Sequence, residues 1–286
     1  MMKAAMFRAY QNFLMPSRLP EYEQLLRDLV AQGYSFLTVA DLARQGTLGR
    51  LPPRCCIVRT DVDSDVATAR DMFRIERALG LRTTYYFRLR TLDPGLMREI
   101  ADSGSEVGYH YEELATFAKR HGLRNGGDID AWADAIRADL ARNIERFAEV
   151  AGRSPLTIAS HGDWVNRRLR VFNHSVVDAA LRARFGLLAE AYDDWLNAPV
   201  RARFADAPPP AWWVPGAPAA SVAEGAACIY LLLHPRQWRA NRRENLRLDL
   251  ERAAEGVAYA VRCAVRAKAE RRGRLKASAS MPGRFA

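Results

Sequence analysis

The stretch CCIVRTDVD, residues 55–63, decides how this chain is read. Its first half is apolar and is bounded upstream by Pro52 and Pro53, the pattern of a buried strand. It then runs straight into two acids, Asp61 and Asp63. In parallel α/β folds, sites form at the carboxyl ends of strands, so the position of the two acids carries information.

The same event recurs outward from this stretch. Residues 106–109 (EVGY) read as a short strand ending at His110, 156–160 (LTIAS) as a strand ending at His161, and 228–233 (CIYLLL) as a strand ending at His234. Further strands are expected at 34–37, 82–88 and 187–191. Helical patterns lie between them. They cover 20–32, with Leu25, Leu26 and Leu29 on one face; 68–79, stopped by Gly80; and 93–101, with Pro94 in its first turn. They continue over 128–150, ended by Gly152 and Pro155, then 175–183 and 243–269. Residues 205–220 hold five prolines and two tryptophans and read as an irregular loop. Short strands alternating with helices predict an α/β fold, either a parallel barrel or a doubly wound sheet. No internal repeat of fixed period is present.

Composition narrows the function classes. With 286 residues, 49% of them hydrophobic and 27% charged, the chain can bury a substantial core and is not a disordered protein. No run approaches the roughly 18 apolar residues that span a bilayer. The opening MMKAAMFRAYQNFLMPSRLPEYEQ lacks a signal-peptide pattern, which predicts a cytoplasmic protein. Cys55, Cys56, Cys228 and Cys263 include no CxxC pair and read as reduced, mostly buried thiols. Between Arg262 and Lys276, seven cations face Glu270 alone, which accounts for +6 of the chain's +10. An excess held in the tail argues against a nucleic-acid partner. It suggests peripheral contact with anionic membrane lipid.

Four strand ends carrying Asp or His suit metal-assisted hydrolysis. A divalent cation needs about three protein ligands with open positions for water and substrate. One Asp and two His suit zinc and would also hold iron, cobalt or nickel. A spare carboxylate can accept a proton from the attacking water, and a further histidine can protonate the leaving group. Asp61, Asp63, His110, His161 and His234 together could fill these roles. The competing reading of Asp61 and Asp63 is that they cap the next helix, for which Asp65 is also available.

At these residues the sequence resembles the polysaccharide deacetylases, carbohydrate esterase family 4, also called the NodB-homology superfamily. It looks closest to a branch whose first motif reads Arg-His-Asp-Val-Asp, here Arg59-Thr60-Asp61-Val62-Asp63. Residues 103–114 (SGSEVGYHYEEL), 159–173 (ASHGDWVNRRLRVFN) and 231–238 (LLLHPRQW) follow in the family's order. The resemblance implies a single-domain irregular, incomplete (β/α) barrel over residues 20–260. An N-terminal segment (1–19) precedes it, and a basic helix end and tail (261–286) follow.

The resemblance also implies roles. Asp61 would be the general base, and Asp63 and His110 metal ligands; Val62 separates acids that are adjacent in better-known members, so the roles of Asp61 and Asp63 could be exchanged. The family's second motif carries another histidine four residues on, where this chain has Leu114, so His161 becomes the replacement ligand, with Glu112 a weaker one. His234 would be the general acid. An acid should orient it, either Asp194 or Asp206, and the branch pattern of an acid ahead of a tryptophan favours Asp206 with Trp212. Trp164 and Trp212 are candidates for stacking on a sugar, and Asn173 for reaching the site.

The implied activity is removal of an acetyl group from an amino sugar or glycan precursor with a divalent metal, zinc by family habit, in surface polysaccharide or lipopolysaccharide assembly. The substrate would be a small acetylated sugar, a nucleotide sugar or a lipid-linked glycan. Two alternatives follow: hydrolysis of a non-sugar amide, and a carbohydrate-binding protein that keeps the fold without the activity. The second is motivated by Leu114 and by Thr60, which stands where the branch has histidine.

Overall fold

The computed structural model describes residues 2–279. Its centre is β2 (Cys55–Val62), buried at every position. β9 (Cys228–Leu233) pairs in parallel along one edge of β2, from Cys55↔Cys228 to Thr60↔Leu233. The other edge is shared. β1 (Ser35–Leu37) pairs with Cys55–Ile57, and β3 (Thr84–Phe87) pairs with Arg59–Val62. Beyond β3 lie β4 (Glu106–Tyr111), β5 (Thr157–Ser160) and β6 (Ala189–Glu190), all parallel. Beyond β9 lie β7 (Ala202–Asp206), parallel, and β8 (Trp213–Val214), antiparallel.

The strand row therefore runs β6-β5-β4-β3-β2-β9-β7-β8. Among the described residues no ladder joins its two ends. Side chains of β2, β3, β5, β6 and β9 meet in one cluster inside the curl, so this is the irregular, incomplete (β/α) barrel and not the doubly wound sheet that alternation also allowed.

Strand alternation sorts β2 into two faces. Cys55 and Ile57 pack inward with Tyr86, Ala159, Ala189, Ala191 and Tyr230. Cys56 and Val58 pack outward against Tyr22, Leu26, Leu29 and Met72 of the flanking helices. The inward face is tight. A Cβ on Gly108 of β4 would stand 2.8 Å from the Thr157 carbonyl and inside contact distance of the Tyr86 ring. Glycine lets that ring lie across the strand.

Several boundaries differ from the sequence reading. The helix expected over 128–150 is broken into Gly127–Asp130 and Ala133–Ala151. Trp132 leaves helical geometry there and stacks beside Phe117 and His121. The helix expected over 175–183 is a 3-10 turn, Asn173–Val176, followed by Ala179–Phe185. The Asp178 carboxylate accepts from Leu181 N–H and starts that helix late. The loop expected over 205–220 contains the end of β7 and all of β8.

The opening residues form a helix, Met2–Ala9, and a π-helical turn, Tyr10–Leu14, neither of which the apolar pattern announced. Their buried residues are polar. Asn12 and Arg8 both bond Asp249 of the final helix, Arg242–Ala279. No helix among the described residues is long and apolar enough to cross a membrane. Of the cations behind the expected tail contact with lipid, the side chains of Arg272, Arg274 and Lys276 lie outside the described residues.

Candidate active site

The sheet brings the strand-end residues to one side of the barrel. Asp61 lies within β2 and Asp63 just past it, His110 lies within β4, and His161 follows β5 directly. One carboxylate oxygen of Asp63 is 2.8 Å from His161 Nδ1 and 3.2 Å from His110 Nε2. The two ring nitrogens are 3.3 Å apart. These three residues form a group that could hold a metal ion.

Two observations favour metal ligation over a simple ion-pair cluster. First, Asp63 Oδ1 is buried yet has no aligned hydrogen bond, despite two nitrogens within reach. His161 Nδ1 is aligned instead with His110 Nε2, 3.3 Å away. Donor atoms about 2.0–2.2 Å from a tetrahedral zinc lie roughly 3.3–3.6 Å apart; the two spacings to His110 Nε2 are close to that, and the Asp63–His161 spacing is shorter. Second, His110 Nδ1 is 2.9 Å from the Ala159 carbonyl, which can only accept. Nδ1 therefore carries a proton, which leaves Nε2 as the ring nitrogen available to a metal. His161 is held through its backbone. Its N–H donates to the Tyr111 carbonyl at 2.8 Å, and its carbonyl accepts from the Asn173 amide.

Asp61 is held differently. The Arg59 guanidinium binds it as a fork, Nε to Oδ1 and Nη2 to Oδ2, each at 2.7 Å. Both side chains are buried. Arg59 is itself flanked by Tyr86 and Tyr192, 5.2 and 4.7 Å from the ring centres. Burial alone would raise the Asp61 carboxyl, but the Arg59 charge outweighs it and holds Asp61 below the usual range. Asp61 is thus a carboxylate whose nearer oxygen is 3.5 Å from His110 Nε2.

His234 follows β9 and faces the same cleft as Asp63. Its Nδ1 is 2.7 Å from Asp206 Oδ1, and its backbone N–H donates to Asp206 Oδ2 at 2.7 Å. Trp238 Nε1–H donates to the same oxygen at 3.0 Å. Burial opposes a charged imidazole, yet Asp206 and the more distant Asp63 and Asp61 push His234 up to about 9. Asp206 is the partner; Asp194 instead begins the short helix Asp194–Asn197.

The structure revises three further expectations. Thr60 faces away from this cluster. It pairs in register with Tyr85 and belongs to the face that packs on the outer helices. A threonine there therefore takes nothing from the metal group. Glu112 is bound by the Arg88 guanidinium and does not join the three ligands. The Asn173 side chain is committed within the protein. It is buried, donating to His161 and accepting from Ala115 N–H, so it is a positioning residue.

Trp164 remains beside His161 in the cleft and stacks edge-on to Tyr259, 5.3 Å away. Trp212 lies elsewhere. Its ring sits 4.1 Å from the Arg18 guanidinium and lines a separate apolar hollow with Met6, Phe7 and Tyr10. Asp65, the alternative helix cap, takes that role by accepting from Thr68 N–H, which leaves Asp61 and Asp63 free of it.

Sequence reasoning missed Arg59, and a signal for it existed. A charged residue inside an apolar strand needs a buried partner, and position i+2 shares its face. Arg88 and Arg236 carried no such signal, because their partners are remote in the chain.

No protein-family profile and no curated protein matches the chain. Among solved structures, it is similar to a family 4 carbohydrate esterase from Streptomyces lividans in complex with acetate. That match has 16% identity and a TM-score of 0.38, and covers 70% of this chain and 90% of the other. It is similar also to a CE4 family pseudoenzyme from Bacillus anthracis, at 14% identity and a TM-score of 0.39, covering 73% of this chain and 66% of that one. A mutant of that pseudoenzyme with restored enzymatic activity aligns over 72% of this chain at 14% identity and a TM-score of 0.38.

Proposed function

We propose that this protein is a divalent-metal-dependent hydrolase that removes an acetyl group from an acetamido sugar of a surface-glycan precursor. The observation that carries the reading is the placing of three groups at neighbouring strand ends: Asp63 with His110 and His161, an Arg-held Asp61, and His234 backed by Asp206. The sugar and the acetyl group come from the motif resemblance, read together with this geometry.

Asp63, His110 and His161 would hold the cation, which when bound supplies Lewis acidity for the amide carbonyl and lowers the pKa of water. Asp61, kept ionised by Arg59, accepts the proton of the attacking water. His234 enters the reaction protonated, because Asp206 raises it. Its Nδ1 is committed to Asp206, so its Nε2 delivers the proton to the departing amine. Amines leave poorly as anions, which is why an acid is needed on that side.

The test is a metal assay run beside a hydrolysis assay. Metal analysis of the purified protein should find about one divalent ion per chain, and chelation should abolish release of acetate from acetamido sugars. Metal binding without hydrolysis of any acyl amide or ester in a broad panel would instead make this a binding protein.

A further inference from the structure

The cleft that contains Asp63 and His234 has a volume of about 760 Å³ and is lined by Arg8, Arg88, Arg167, Arg236 and Arg252. Arg88 is neutralised by Glu112. Arg8 and Arg236 share one carboxylate, Asp249, at 2.5 and 3.9 Å. Among the described residues, Arg167 and Arg252 have no carboxylate partner. Of the lining acids, Asp206 is paired with His234, and Asp63 belongs to the metal group. The wall therefore carries an uncompensated positive charge beside the site.

Arg236 sharpens the picture. Its side chain is 14% exposed, and its Nε–H is buried with no hydrogen-bond partner, while one Nη donates to Asn12 at 2.6 Å. Burial and the like charges of Arg252 and Arg8 hold its guanidinium below the usual range. Its side chain lines the cleft beside Arg8 and Arg252, a crowding of like charges that an anion in the cleft would relieve. Arg236 also lies two residues past His234, on the turn Pro235–Gln237. It thus sits on the side where the amine, and hence the sugar, departs. An apolar hollow of about 410 Å³ adjoins this wall and shares Phe7, Pro209 and Pro210 with the cleft.

We propose that Arg236 and Arg252, with Arg8 and Arg167 at the rim, form a phosphate subsite, so that the substrate is an acylated sugar carrying a phosphate ester. The phosphate lies beyond the sugar from the metal group, and the hollow takes the other substituent of the phosphate. This rests on the hydrolase reading for the sugar, but the anion site itself does not depend on it.

The experiment has two readouts on the full chain. The first is calorimetric titration with inorganic pyrophosphate. Binding should weaken about 10–100-fold in Arg236→Gln/Arg252→Gln, the scale of losing charge-assisted hydrogen bonds. It should persist in Asp63→Ala, which lacks a metal ligand. Binding lost in Asp63→Ala and kept in the arginine variant would put the anion on the metal and overturn the proposal, as would no binding to wild type.

The second readout is kcat/KM for N-acetylglucosamine, its 1-phosphate, its uridine diphosphate ester and its decyl phosphate diester. The phosphorylated forms should exceed the free sugar by at least about 10-fold, and the arginine variant should erase that ratio. Preference between the uridine and decyl forms identifies what fills the hollow. An unchanged ratio in the variant overturns the subsite. Pyrophosphate binding with no hydrolysis of any of the four would leave the anion site standing and remove the acetamidase reading.

Discussion

The cleft has two walls of different construction. One is made of strand ends, where three chemical groups are tied to fixed partners: Asp61 to Arg59, His110 to the Ala159 carbonyl, His234 to Asp206. The other is made of helices, the opening helix and the final one, with the turn after β9. It presents cations with few partners. The strand wall is preorganised for one chemistry, since neighbouring strands set each side chain to within its rotamer. The helical wall is open on its charge, and suits selection of a ligand more than reaction with it.

The widest break between the walls should come from Asp63→Ala. It should lose bound metal and all hydrolysis together, read by metal analysis and acetate release, while any variant of the helical wall keeps its metal. Next, Asp61→Asn should retain metal and lose about 10²–10⁴-fold in kcat, because the amide cannot accept a proton. Metal lost from Asp61→Asn and kept in Asp63→Ala would exchange the two roles.

Arg59→Leu probes the support beneath the strand wall. Removing one member of a buried pair strands the other, so chemical denaturation should show a loss of about 3–5 kcal/mol. Arg252→Gln, on the helical wall, should change stability by less than about 0.5 kcal/mol.

A smaller effect is expected on pH dependence. The general acid must be protonated, so kcat should fall as pH rises through about 9, where His234 titrates. Asp206→Asn removes the main raising charge. The alkaline limb should then move down toward the ordinary histidine value of about 6.5. A limb that stays near its original pH in Asp206→Asn would assign it to another group. The smallest effect should follow deletion of residues 271–286, with folding and hydrolysis unchanged. If the tail touches membrane, binding to anionic vesicles at low salt should drop in the same deletion.

The strand ends were legible because period-2 alternation and apolar runs report burial, and a polar residue that terminates such a run stands out. Asp61, Asp63, His110, His161 and His234 all carried that signal. Asp206 did not: β7 has one buried hydrophobic residue, Phe204, and its place beside β9 is set by the ladder. The opening helix was invisible for a related reason. Its neighbouring turn buries Gln11 and Asn12, whose hydrogen bonds to Gln237 and Asp249 substitute for an apolar stripe.

By itself, the sequence determined the α/β class, the positions of the strand ends and the set of groups capable of chemistry, because these depend on local periodicity and residue type. Only the tertiary structure decided which of them meet. It chose the open barrel through the strand order and gave Asp61 to Arg59. It turned Thr60 outward and withdrew Trp212 and Asn173 from the cleft. It also built a second wall from residues more than two hundred positions apart, such as Arg8 and Arg236. Pairings at that separation follow from packing geometry, and no local pattern in the chain records them.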